Sequence, residues 1–134
     1  MTKIPEDLKY TRTHEWVRIT GGNAVVGITD FAQAELHEVV FVEVPELGKE
    51  VARGSELAAV ESVKSRSEIF APVSGTVVKV NSVLVEGTDP ARPELINEDP
   101  YGSGWIVELK LANAAEVNDL LSPLDYGKLL ESKK

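Results

Sequence analysis

The chain carries few groups that could do covalent chemistry unaided. It has no cysteine, which removes disulfides, thiolate metal sites and a cysteine nucleophile. Its two histidines, His14 and His37, are not at metal-ligand spacing, and no nucleophile-elbow motif accompanies any serine. Surface or interface roles are the simpler reading of both. Lys64, in the string Glu61-Ser62-Val63-Lys64-Ser65, is by residue type alone most simply a solvated, inert turn residue. A lysine that forms Schiff bases needs burial or a cationic neighbour to lower its pKa. Glu61 and Glu68 near it in sequence favour the ammonium instead, which suits a lysine acylated by a visiting enzyme. A chain with its own active site is the competing reading; it predicts turnover that survives Lys64→Arg without partners.

The elements that must present this lysine are legible in the alternation around it. Leu57, Ala59 and Val63 fall on one side of an extended chain, and Ala58, Val60 and Ser62 on the other; Ile69, Phe70 and Val73 resume the apolar pattern. The stretch from Leu57 to Pro72 is therefore predicted to be a hairpin with Lys64 at its tip. Gly54, in the turn leading into it, is expected where a Cβ would fit poorly. An earlier hairpin is predicted from His14–Thr20 and Ala24–Ile28 around Gly21-Gly22-Asn23, with Trp16 and Arg18 on one face and Val17 and Ile19 on the other. Thr29 can cap a short helix through Leu36, followed by a β-branched strand from Val39 to Glu43. Thr76–Val80 and Trp105–Leu111 read as further strands.

Val40–Val44 laid beside Thr76–Val80 gives a weak internal repeat, as two similar halves in facing sheets would. Met1–Tyr10 reads as a polar lead-in and Ser82–Arg92, with Pro90 followed by Pro93, as a loop. Gly102 and Gly104 precede a strand and lack a third glycine, so they mark a turn and not a phosphate loop. Asn113 can cap a helix, with Glu116 echoing a capping box, and Ser122-Pro123 opens a second one.

Composition bounds the answer. The 134 residues suit one domain, 1–134, with a β core over about 10–111 and a helical segment over about 113–131. A net charge of −8, from 14 basic and 22 acidic side chains without a basic cluster, disfavours nucleic acid. No apolar run approaches the ~20 residues needed to span a bilayer, and the N-terminal residues lack a signal-peptide pattern, so no membrane partner is expected. The expectation is a cytoplasmic protein, or a matrix protein after processing.

Taken together, His14-Glu15-Trp16-Val17, Gly27-Ile28-Thr29-Asp30-Phe31-Ala32-Gln33, Glu61-Ser62-Val63-Lys64, Ala71-Pro72-Val73-Ser74-Gly75 and Asn97-Glu98-Asp99-Pro100-Tyr101-Gly102-Ser103-Gly104-Trp105 resemble the glycine cleavage system H protein family. The resemblance implies a mainly β, flattened barrel-sandwich hybrid, the fold of lipoyl and biotinyl carriers, with two facing sheets and short helices that include C-terminal ones. It implies lipoate on Lys64 as N6-lipoyllysine, with Glu61, Ser62 and Val63 as the attachment motif. It further implies a cleft in which Glu15 and Glu68 receive the loaded arm. Biotin carriers flank their lysine with methionines, whereas the only methionine here is Met1. The implied role is a non-catalytic carrier of the aminomethyl group of decarboxylated glycine. It would take that group from glycine decarboxylase (the P protein) to the aminomethyltransferase (the T protein), and dihydrolipoamide dehydrogenase (the L protein) would reoxidise it. A lipoyl or octanoyl transferase, or a lipoate ligase, would modify it.

A lipoyl relay of the same fold is the alternative, and a monomer is expected because several partners need exposed surface. Acylation would take the net charge from −8 to −9, and lysine plus lipoyl would reach ~14 Å from the backbone. The chain departs from the family pattern in three places. The interval from Leu84 to Pro93 is longer by about five residues, an insertion a surface loop can absorb; Glu35 stands where some members have histidine, and His37 where glycine is common.

Overall fold

A computed structural model describes residues 2–85 and 91–132; much of the enlarged 84–93 interval thus lies outside the described residues. Two antiparallel sheets form the body. The larger contains β1 (Lys9–Tyr10), β2 (Glu15–Thr20), β3 (Asn23–Ile28), β5 (Glu50–Val51), β8 (Gly75–Val80) and β9 (Val107–Leu111), in the order β1-β2-β3-β9-β8-β5. The smaller contains β4 (Val39–Glu43), β6 (Glu56–Ser62) and β7 (Arg66–Phe70), in the order β4-β6-β7. Neither sheet closes on itself. The two segments of the weak repeat lie in different sheets, β4 in the smaller and β8 in the larger.

The core is the apolar layer between the sheets. Val26, Val77 and Leu109 of the larger sheet and Val42, Val60 and Ile69 of the smaller join one cluster, with Leu36, Leu84 and Ile96 closing its margins. The first hairpin closes at the Thr20↔Asn23 pair, where Gly21 supplies the positive φ, +61°, that the tight turn requires. Helix α1 (Asp30–Leu36) starts where expected, because the Thr29 hydroxyl accepts the Ala32 N–H. Helix α3 (Pro123–Glu131) likewise starts at Ser122, which caps the Asp125 N–H. At Gly54 the backbone adopts φ +89°, as the expectation of a position hostile to a Cβ requires.

Five expectations are corrected. The N-terminal lead-in is docked: Leu8 and Tyr10 are buried with Trp16 and Tyr126 in a second apolar cluster, and the Tyr10 hydroxyl donates to Pro5 O at 2.6 Å. Strict alternation fails in β6, where Leu57 through Val60 are all buried: a register shift between Glu56 and Ala58 inserts Leu57, and beyond it Ala58, Ala59 and Val60 are covered on both faces of this central strand. Val63 leaves the apolar face it was assigned and is 67% exposed at the tip. The last strand begins at Val107, since Trp105 N–H still bonds back to Gly102 O in the turn that follows a short helix, α2 (Leu95–Glu98), which the Pro93–Asn97 string did not announce. After Asn113 the chain forms a 3-10 turn over Ala114–Asp119, and Glu116 forms no capping box; its carboxylate accepts the N–H and hydroxyl of Ser74 instead.

Candidate functional site

The tip between β6 and β7 is built by one serine. Ser62 Oγ accepts the backbone N–H groups of Lys64 and Ser65, both at 3.1 Å, and Ser62 N–H donates to Ser65 O at 2.8 Å. A second tie runs from Val63 N–H to Glu38 O, 3.0 Å, in the link between α1 and β4. The three-residue tip Val63-Lys64-Ser65 is thus held at both shoulders, and all three side chains face solvent. Lys64 Nζ donates to the carbonyl of Glu35 at 3.3 Å, in the last turn of α1, where the helix carries no cation of its own and its carbonyls favour one.

Glu61 does not reach Lys64. Arg66 takes its carboxylate at 3.2 Å and also pairs with Glu43, so one guanidinium ties the three strands of the smaller sheet together beside the tip. Glu61, Ser62 and Val63 line a shallow hollow of ≈ 260 Å³ around Lys64, together with Val40, Ser65 and Arg66.

A cleft of ≈ 620 Å³ opens next to the tip. Its walls come from the end of the first hairpin, from α1 and from β7, and both Glu15 and Glu68 line it, with Glu35 on the helix side. Its apolar lining is Ile28, Phe31, Ala32, Leu36, Val60 and Ile69. The two predicted acids differ in kind. Glu68 is exposed, paired across the ladder with Ala59, and forms no ion pair among the described residues. Glu15 is 1% exposed and fully occupied: the hydroxyls of Thr11 and Thr13 donate to Oε1, and Phe70 N–H donates to Oε2 at 3.3 Å. Burial pushes its carboxyl above the usual glutamate range, against the opposing pull of those hydrogen bonds.

Tyr126 and Arg66 escaped the sequence reading, and His14 was read there only as a surface or interface residue. His14 lines the cleft, its ring 4.7 Å from Phe31, and its backbone has φ +72°. Tyr126, from the distant helix α3, hydrogen-bonds His14 Nδ1 at 2.9 Å. Arg66 lines both the cleft and the hollow at the tip. Tyr126 left no local signal, because 112 residues separate it from His14. His37 stays out of the cleft; its role is at the C-terminal end of α1, where φ is +64° and ψ −149°.

The cleft suits an extended, partly apolar chain that ends in a cation. Its apolar side chains can cover methylenes, and the exposed Glu68 carboxylate can accept from a cation. Lys64 stands exposed at its rim. The described residues contain no group of three or more His, Cys, Asp or Glu side chains that could hold a metal ion, and none of their helices is long and apolar enough to cross a membrane.

Comparison with known proteins follows the same lines. The family model for glycine cleavage H-protein matches residues 8–133. The chain is 52% identical over 134 residues to the glycine cleavage system H protein of Rubrobacter xylanophilus, covering 100% of both chains. It is 49% identical over 133 residues to that of Carboxydothermus hydrogenoformans, covering 99% of this chain and 98% of the relative. The crystal structure of a glycine cleavage system H protein from Mycobacterium marinum superposes with a TM-score of 0.83 at 39% identity, covering 96% of this chain and 99% of the other.

Proposed function

Because the chain belongs to the glycine cleavage H-protein family, whose members are lipoate carriers, we propose that it is the lipoyl-bearing shuttle of that system, modified at Lys64. In this reading residues 1–134 form one carrier domain without catalytic groups of its own, working as a monomer in the cytoplasm. It takes the aminomethyl group of decarboxylated glycine from glycine decarboxylase to the aminomethyltransferase, and dihydrolipoamide dehydrogenase reoxidises it. A lipoyl or octanoyl transferase, or a lipoate ligase, attaches the group. When bound, lipoate supplies a disulfide that can open to carry a one-carbon amine and close again on oxidation.

The observation that carries the proposal is a solvent-exposed lysine on a rigid three-residue tip at the rim of an acid-lined cleft. Ser62 fixes the backbone on either side of Lys64, so an acylating enzyme meets one geometry and not an ensemble. Acylation makes Lys64 neutral and removes the charged part of its contact with the α1 carbonyl, which frees the arm from the rim. Glu68 offers an unpaired carboxylate to an incoming ammonium. Glu15, which already accepts three hydrogen bonds, acts chiefly through the shape it gives the cleft wall.

The test uses acylated protein, labelled glycine and purified glycine decarboxylase. Label should appear on the chain, depend on Lys64, and pass to the aminomethyltransferase with folate. Acylated protein that takes no label would instead indicate a lipoyl relay.

A further inference from the structure

Two walls of the cleft are joined by a hydroxyl that belongs to neither. Tyr126 is fully buried, and its ring stacks on Tyr10 with centroids 4.6 Å apart and planes 7° from parallel. Its hydroxyl lies 2.9 Å from His14 Nδ1 and 2.7 Å from Thr29 Oγ1. His14 and Phe31 line the cleft and pack ring on ring. Thr29 is the cap of α1, the helix that carries Phe31, and its N–H donates to His14 O at 3.0 Å. One oxygen therefore joins the hairpin wall to the helix wall.

One sense of these hydrogen bonds gives both hydroxyls an acceptor. Thr29 Oγ1 already accepts the Ala32 N–H, and Tyr126 Oη is the acceptor within reach of its hydroxyl proton. With the Thr29 hydroxyl proton directed to Tyr126 Oη, Tyr126 is free to donate to His14 Nδ1, the sense that goes with a His14 proton on Nε2. The opposite sense would leave a buried threonine hydroxyl without an acceptor, an arrangement folded proteins avoid.

We propose that Tyr126 is a positioning residue of the cleft. Its hydroxyl holds His14 as the Nε2–H tautomer against Phe31 and fixes the spacing of the two walls between which the loaded arm rests. The proposal rests on the carrier reading for the arm; the tautomer does not. His14, held at φ +72°, has a backbone conformation that an L residue seldom keeps without such support.

The test is made on the full acylated chain with Tyr126→Phe, which keeps the ring and its stacking. Long-range nitrogen-proton NMR should show Nδ1 of His14 unprotonated in the unsubstituted protein, and should show that preference weakened in Tyr126→Phe. A protonated Nδ1 in the unsubstituted protein overturns the proposal, whether or not the variant folds. The second readout is hydrolysis of the arm after loading by glycine decarboxylase, followed by intact mass. Water enters, ammonia and formaldehyde leave, and the dithiol remains. Tyr126→Phe should lose the one-carbon group roughly threefold faster or more, with no added effect in a His14→Ala background. Leu129→Ala, which weakens the docking of α3 without touching the hydroxyl, should lower the melting temperature and leave this rate unchanged. Equal rates for Tyr126→Phe and the parent, or effects that add to His14→Ala, overturn the role. If the parent's loaded arm decays as fast as a free small-molecule adduct while Nδ1 is unprotonated, the carrier cleft fails and the tautomer stands.

Discussion

Single side chains at this site divide into those that present a group and those that shape its surroundings. Glu15 belongs to the second kind, and its burial has a pH signature. Its carboxyl is raised in the folded chain, so the fold favours the protonated form. The associated stability is present below the ordinary glutamate pKa and is lost as pH rises through the raised one. Urea melts from pH 4 to 7 should therefore show the parent losing stability relative to Glu15→Gln as pH rises; a constant difference would mean that Glu15 does not titrate abnormally.

His37 presents a backbone liability. It ends α1 at φ +64°, ψ −149°, a region that essentially only glycine occupies without strain. His37→Gly should raise stability by roughly 1 kcal/mol, the strain relieved less the added freedom of the unfolded chain, as measured by chemical denaturation. The sequence signalled this place through resemblance alone, as a histidine where glycine is common, and could not show the backbone angle that gives the departure its meaning. Lys64 was readable because alternation on both sides marks the tip. Tyr126 was not, because nothing local ties a C-terminal tyrosine to His14.

At the scale of elements, the two hairpins carry the design. In the first, Gly27 faces Trp16 across the ladder, and a Cβ there would lie 2.6 Å from the indole ring. The ring cannot retreat easily, because it is fully buried and its Nε1–H is bonded to Pro100 O at 2.8 Å. Gly27→Ala should cost about 1–3 kcal/mol in a denaturation experiment, the usual penalty for overpacking. In the second hairpin, Ser62→Ala removes the acceptor for two tip N–H groups in an exposed turn. Global stability should change by about 1 kcal/mol or less, while the rate at which a lipoate ligase acylates Lys64 should fall several-fold as the tip loosens.

Both hairpins, α1 and α3 were legible because turn glycines, alternation and cap residues are local signals. The short α2 and the bulge in β6 were not. Each depends on tertiary packing: Ile96 is drawn into the core, and Ala58, Ala59 and Val60 of β6 are buried on both of its faces.

At the scale of the molecule, a body with net charge −8 displays one lysine on a stiff tip, and neutralising it should leave a species of net charge −9. The two-sheet architecture was readable from the count and spacing of strands together with the family resemblance. The joining of the walls through Tyr126 was not, since it exists only once the C-terminal helix closes over the N-terminal strand. The central claim is that this body serves to present Lys64 for acylation. Peptide mapping by mass spectrometry, on protein made in lipoate-replete cells, tests it most directly. The account predicts a lipoyl adduct on Lys64 and none on any other lysine. An adduct on a different lysine, a biotinyl group at Lys64, or Lys64 left unmodified by an active lipoate ligase would contradict it.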